Sequence, residues 1–187
     1  MLRTVAVSHW MIRFSLVMAV WAMLVGVALA KNPILKEFEG VYSGSAQVVS
    51  VDGTTSNRDM SVEIARTKEG FAVAWSTTSV RADGSINEKD YAIEFVPSER
   101  DDVYSAAMER NVFGHEVQLN PMKGEPFVWA RLKDTTLTVF SLFVDEAGDY
   151  ELQQFDRSLV EGGLELKFRV MRDGAITRSV ETFLARE

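Results

Sequence analysis

Cysteine is absent from all 187 residues. The chain therefore has no disulfide, no thiolate nucleophile and no thiolate metal site, and cysteine usage says nothing about its redox compartment. A lipoprotein leader ending in a lipidated Cys is excluded on the same ground, and no twin-Arg pair is present. Histidine is almost as scarce, with only His9 and His115. Zinc needs three or four His, Cys or carboxylate ligands, and nothing near His115 supplies them at a recognisable spacing, so no metal is expected. Beside Glu116 in a polar stretch, His115 reads as a surface residue rather than a near-neutral acid or base. Clusters of Lys and Arg are missing as well. The formal net charge is −7, which argues against nucleic acid and anionic membrane surfaces as partners.

The longest uncharged run lies at the N-terminus. Residues 1–30 carry Arg3, His9 and Arg13 but no acid, and Arg13 is followed by FSLVMAVWAMLVGVALA. That run ends on the small-x-small site Ala28-Leu29-Ala30, just before Lys31. A basic region, an apolar region and such a site compose a secretory signal peptide, with Met11 as an alternative start. The other reading is an uncleaved anchor, because Phe14 to Ala30 is near the lower limit for spanning a bilayer; the membrane would then be met only through the leader. The expected organisation is a signal peptide over 1–30 and one domain over 31–187, periplasmic or secreted. A domain of that size buries about two thirds of its unfolded surface and needs no disulfide.

From Lys31 onward the chain reads as short strands separated by turn chemistry. Met60, Val62 and Ile64 alternate with Asp59, Ser61 and Glu63; Phe71, Val73 and Trp75 share a face with Thr77; Tyr91, Ile93 and Phe95 alternate with Ala92 and Glu94. In GLELKFRVMR, Leu164, Leu166, Phe168 and Val170 point one way and Glu165, Lys167 and Arg169 the other. The last quarter, Thr135 to Glu187, is four extended segments joined by DEAG, LVEGG and DG, connections that suit antiparallel neighbours. Ser98 to Glu125 is broken by Pro121 and Gly124, with a strand or helical turn at VYSAAM and a short strand at EVQL. ILKEFEG fits a short helical turn or ordered lead-in. The total is nine or ten strands. Next-neighbour hairpins throughout predict an all-β, antiparallel up-and-down barrel.

The opening FEGVYSG, the meander and the closing DGAITRSVETFLAR resemble the calycin superfamily of lipocalin-like barrels. The resemblance is one of pattern over most of the domain. Lipocalins carry G-x-W near the first strand, where this chain has Gly40-Val41-Tyr42. Nitrobindin-type haem barrels are similar in outline but ligate iron through a histidine near the C-terminus, which is absent here, so neither haem nor another cofactor is expected. The resemblance implies a barrel that binds a small apolar or amphipathic ligand.

No catalytic set is legible, and the protein is read as a non-enzyme. Gly40-Val41-Tyr42-Ser43-Gly44 has the wrong spacing for a nucleophile elbow and lies on a strand. The acidic turn Asp145 to Asp149 has too few oxygens for calcium and reads as a solvated hairpin. Polar residues that interrupt apolar faces are more informative. Arg178 shares a face with Ile176, Val180 and Leu184; Gln154 and Asp156 follow Tyr150 and Leu152; Arg131 follows Phe127 and Trp129. A buried charge must be paired or it costs several kcal/mol, so such residues point to a cavity. In that reading Arg178 or Arg131 takes a ligand head group, Gln154 and Asp156 add polar contacts, and Trp75, Trp129, Tyr91 and Phe95 line the apolar part. Alternatively Arg178 pairs with Asp156 or Glu181, or extends along the rim.

Two further functional readings stand beside this one. TTLTVFSLFV is apolar on both faces, Leu137, Val139 and Phe143 against Phe140, Leu142 and Val144. A strand of that kind needs cover on its outer side, from the lead-in Ile34 to Phe38, from a homodimer partner pairing through Thr135 to Val144, or from lipid. That pattern suits an envelope structural or interaction module with a filled core. A barrel enzyme of the isomerase or cyclase kind is the third class, with no residues to name.

Overall fold

The computed structural model describes residues 34–50, 55–80, 83–107, 109–110 and 116–187. The leader and His115 lie outside them. Helix α1 (Leu35–Phe38) is a single turn, followed by β1 (Gly40–Ser50), β2 (Thr55–Arg66), β3 (Phe71–Val80), β4 (Ile86–Pro97) and β5 (Val103–Ala106). Two short pieces, β6 (Glu109–Arg110) and β7 (Glu116–Val117), pair with each other outside the main sheet. Then come β8 (Phe127–Lys133), β9 (Thr136–Val144), β10 (Tyr150–Val160), β11 (Gly163–Arg172) and β12 (Ala175–Arg186). The ten longer strands form a closed antiparallel barrel in which each pairs with its neighbour in sequence, and β12 closes the ring against β1. This is the expected fold.

Turn chemistry sets the registers. Glu161 and Gly162 alone connect β10 to β11, with Val160 opposite Gly163. Asp173 and Gly174 both adopt positive φ, 49° and 82°, in the turn between β11 and β12. Asp and Gly tolerate that backbone, which matches the right-handed twist of a tight hairpin. In the Asp145 turn, the carboxylate accepts hydrogen bonds from the backbone N–H groups of Ala147 and Asp149, at 2.9 and 3.0 Å. Its role there is to hold the turn. Closure requires Gly44: a Cβ at that position would lie 2.5 Å from the carbonyl oxygen of Phe183 on β12. No side chain fits at that crossing.

The packed core occupies one end of the barrel. Phe38, Tyr42, Phe71, Val73, Phe95, Leu132, Leu137, Leu164 and Leu184 are buried there in one cluster. Helix α1 joins it through Leu35 and Phe38 and stops that end like a plug. Tyr42 donates a 2.8 Å hydrogen bond from its hydroxyl to the Phe38 carbonyl, and the Arg186 guanidinium lies over the Tyr42 ring and bonds the Glu39 carbonyl. The lead-in, one of the covers the sequence left open for the outer side of β9, is therefore buried in the core cluster instead. Leu35 and Phe38 are spaced three apart on one helical face, and the barrel end offers more apolar surface to bury than an exposed wall.

Candidate functional site

Alternation along each strand assigns every side chain to the interior or the outer wall. On β3 and β4 the packed residues Phe71, Val73 and Phe95 share parity with Trp75, Tyr91 and Lys89, and Trp75 pairs directly with Tyr91. On β10 the inward residues are Glu151, Gln153, Phe155, Arg157 and Leu159, because they oppose the inward Arg172, Val170, Phe168, Leu166 and Leu164 of β11. Beyond the packed end these strands bring Trp75, Tyr91, Phe155 and Phe168 into one aromatic chain. Trp75 stacks on Tyr91 at 5.2 Å and meets Phe155 at 5.6 Å; Phe155 meets Phe168 at 4.5 Å.

Exposure rises steeply along this interior. Phe71 and Phe95 are fully buried, stacked at 5.2 Å, whereas the inward-facing Tyr91 is 48% exposed. An inward aromatic half open to solvent marks a level at which the barrel is no longer filled by its own side chains. The far half of the barrel is thus an open chamber with aromatic walls.

Arg157 lies at the floor of that chamber. Its relative exposure is 1%, and its guanidinium lies over the rings of Trp75 at 5.7 Å and Phe155 at 5.4 Å. Both Nε and Nη1 are buried with no hydrogen-bond partner. Burial lowers its pKa to about 10, only partly countered by the charge of Asp156, so the group remains cationic at neutral pH. Ring quadrupoles offset part of the cost of burying the charge. Arg58 on the inner face of β2, opposite Ser79 and Ala46, likewise has a buried Nε without a partner. Nearer the mouth, Glu151 accepts from Arg172 at 3.2 Å and from Gln153 at 2.8 Å. Among the described residues, no three His, Cys, Asp or Glu side chains come together as a metal site requires.

The residues singled out from sequence divide by wall. Trp75 and Tyr91 meet in the chamber, stacked on each other. Phe95 faces inward but belongs to the packed end. Arg178 opposes the inward Val170 and is exposed at the mouth; a bulge in the β11–β12 ladder breaks its supposed common face with Ile176, which is 57% exposed opposite Met171. Trp129, Arg131, Gln154 and Asp156 are on the outer wall, a correction to the expected interior lining. On β8 the buried residues are Val128, Ala130 and Leu132, so Phe127, Trp129 and Arg131 must face out. Trp129 stacks on Phe140 of β9 at 4.8 Å on that outer surface and borders an open groove of about 970 Å³ with Val103, Ser105, Gln118 and Phe127.

Asp156 does not pair with Arg178. Burial pushes its carboxyl pKa up, but hydrogen bonds from Gln154, Thr138 and Arg169, with the Arg169 charge, outweigh that and hold it below its ordinary value. The distances are 2.8, 2.7 and 3.0 Å.

Sequence reading missed Arg157 because the alternation of DYELQQFDRS is mixed on both faces. The hairpin holds the missing signal. With only Glu161 and Gly162 in the turn, the inward Leu164, Leu166 and Phe168 force Leu159, Arg157 and Phe155 inward as well.

No protein-family model matches the chain, and no curated protein is significantly similar to it. Among solved structures it is similar to the S-type phycobiliprotein lyase CpeS from Guillardia theta. That match has 6% identity and a TM-score of 0.36, over 85% of this chain and 93% of that one. It is also similar to a protein assigned as AttH from Nitrosomonas europaea, at 12% identity and a TM-score of 0.29. The match covers 86% of this chain, which spans only 55% of that longer protein.

Proposed function

We propose that the protein is an exported lipocalin-like carrier, periplasmic or secreted, that binds a small apolar or amphipathic ligand in the open half of its barrel. One observation carries this reading: Tyr91 faces inward, stacks on Trp75, and is still half exposed. Aromatic side chains left unfilled inside a closed barrel make a concave apolar site of the kind small ligands occupy. Arg178 at the mouth contributes to the rim of that site. Export rests on the leader over 1–30 and its Ala28-Leu29-Ala30 site.

Native mass spectrometry on the protein purified gently from its own host tests both parts. A polypeptide starting at Lys31, with a reproducible extra mass that leaves on denaturation, is the expected result. A bare polypeptide that also shows no Trp75-dependent binding of apolar fluorophores would sink the carrier reading.

A second reading, an envelope interaction module, is favoured by the outer pair Trp129 and Phe140 with Phe127 beside it. Its occupant would be a second copy of the chain, pairing through Thr135 to Val144. Sedimentation should then give a dimer that Phe140→Asp converts to a monomer; a wild-type monomer at high concentration discards it.

A further inference from the structure

The described barrel interior is electropositive in a protein that is acidic as a whole. In the open half, Arg58, Lys89, Arg157, Arg172 and Arg178 face inward by their register positions, against Glu151 as the one inward-facing acid among the described residues. Glu151 is already engaged by Arg172. Yet the chain has 27 acidic residues against 20 basic ones. Apart from Glu151, the acids of the described barrel strands face the outer wall, and on the inner face Arg58 and Arg157 keep buried nitrogens without partners.

Resting on the carrier reading, we infer that the ligand is an amphipathic carboxylic acid whose carboxylate binds the Arg157 guanidinium while its apolar body lies along Trp75, Tyr91, Phe155 and Phe168. A neutral hydrophobe would leave the buried Nε and Nη1 of Arg157 unsatisfied at the floor of the chamber. A carboxylate supplies both the acceptors and the missing charge, and charge-assisted hydrogen bonds of this type are the strong ones. The head group is small and planar because Arg157 is walled by Trp75 and Phe155 and flanked across the strands by Leu137 and Leu166. A phosphate dianion would need more donors than these apolar neighbours provide. Arg58, Lys89 and Arg178 lie above, between the floor and the solvent, and favour entry of an anion over a cation.

The test compares a dansyl-labelled long-chain fatty acid, its methyl ester and the matching primary amine, titrated into the purified protein and followed by dansyl emission. The acid should bind about tenfold or more tighter than the ester, and the amine weakest, the margin of one charge-assisted contact in a water-poor site. In Arg157→Met the acid-to-ester ratio should fall towards one while ester affinity is kept. Arg58→Met and Arg178→Ala, on other strands, should lower the ratio less, and they carry the test if Arg157→Met fails to fold. Equal binding of acid and ester by the wild type overturns the carboxylate inference but leaves the carrier reading intact. A ratio unchanged in all three variants overturns it likewise. If none of the three probes binds, the carrier reading itself fails.

Discussion

Arg157 and Asp156 are adjacent in sequence and opposite in environment. Arg157 points into the barrel, where its buried charge is offset in part by the rings of Trp75 and Phe155, which it meets at 5.7 and 5.4 Å. Asp156 points out and is satisfied three times over, by Thr138, Gln154 and Arg169. The outer carboxylate therefore bears on stability, while the inner guanidinium keeps Nε and Nη1 buried without partners. For Asp156 the sign follows from its lowered pKa. A carboxyl that ionises more readily in the folded state stabilises the fold above its unfolded value, near 3.8, and loses that contribution as pH falls through the lower folded value. Asp156→Asn should cost about 1 kcal/mol at neutral pH, because Arg169 is half exposed and the pair is partly screened. Urea titrations at neutral pH and below 3.8 should show that deficit shrinking with acidification. A constant deficit would assign the effect to packing instead.

Among the elements, hairpin β10–β11 and helix α1 carry the most consequence. The two-residue turn at Glu161 and Gly162 locks a register in which Leu166 faces Arg157 and Phe168 faces Phe155. A slip of one residue would move the whole set to the other wall and take Arg157 out of the interior. The bulge after Val170 does this on a small scale, separating Ile176 from Arg178. Helix α1 is too short to be stable alone, and it persists because Leu35 and Phe38 are buried in the barrel end. Phe38→Ala should cost about 3–5 kcal/mol as a cavity-forming substitution at a fully buried aromatic. Denaturation midpoints would measure it, and an effect below about 1 kcal/mol would mean the plug is not part of the cooperative unit.

At the scale of the whole molecule, filling and charge are both unevenly distributed. One end is packed with Phe, Leu and Tyr. The other is open, aromatic and cationic under an acidic exterior. The proposed carrier function rests on that polarity, since net charge alone argues only against nucleic acid and anionic surfaces.

Much of this was legible in the chain itself. Strand spans, the all-β class and the next-neighbour meander follow from period-two alternation and from Gly, Asp and Asn at the turns, which are local properties read within a few residues. The aromatic pair Trp75 and Tyr91 was legible for the same reason: each lies on a strand whose apolar face is unmistakable. Only the tertiary structure decided which wall the mixed strands present inward. On β8, Phe127, Trp129 and Arg131 look like a core face, but Val128, Ala130 and Leu132 take it, because small and aliphatic side chains fit the packed end beside Phe71 and Tyr104. On β10 both faces mix polar with apolar residues, and pairing with the unambiguous β11 sends Arg157 in and Asp156 out. Closure at Gly44, the plug at Phe38 and the inward guanidinium all depend on residues far apart in sequence meeting across the barrel. Local pattern carries no record of such meetings.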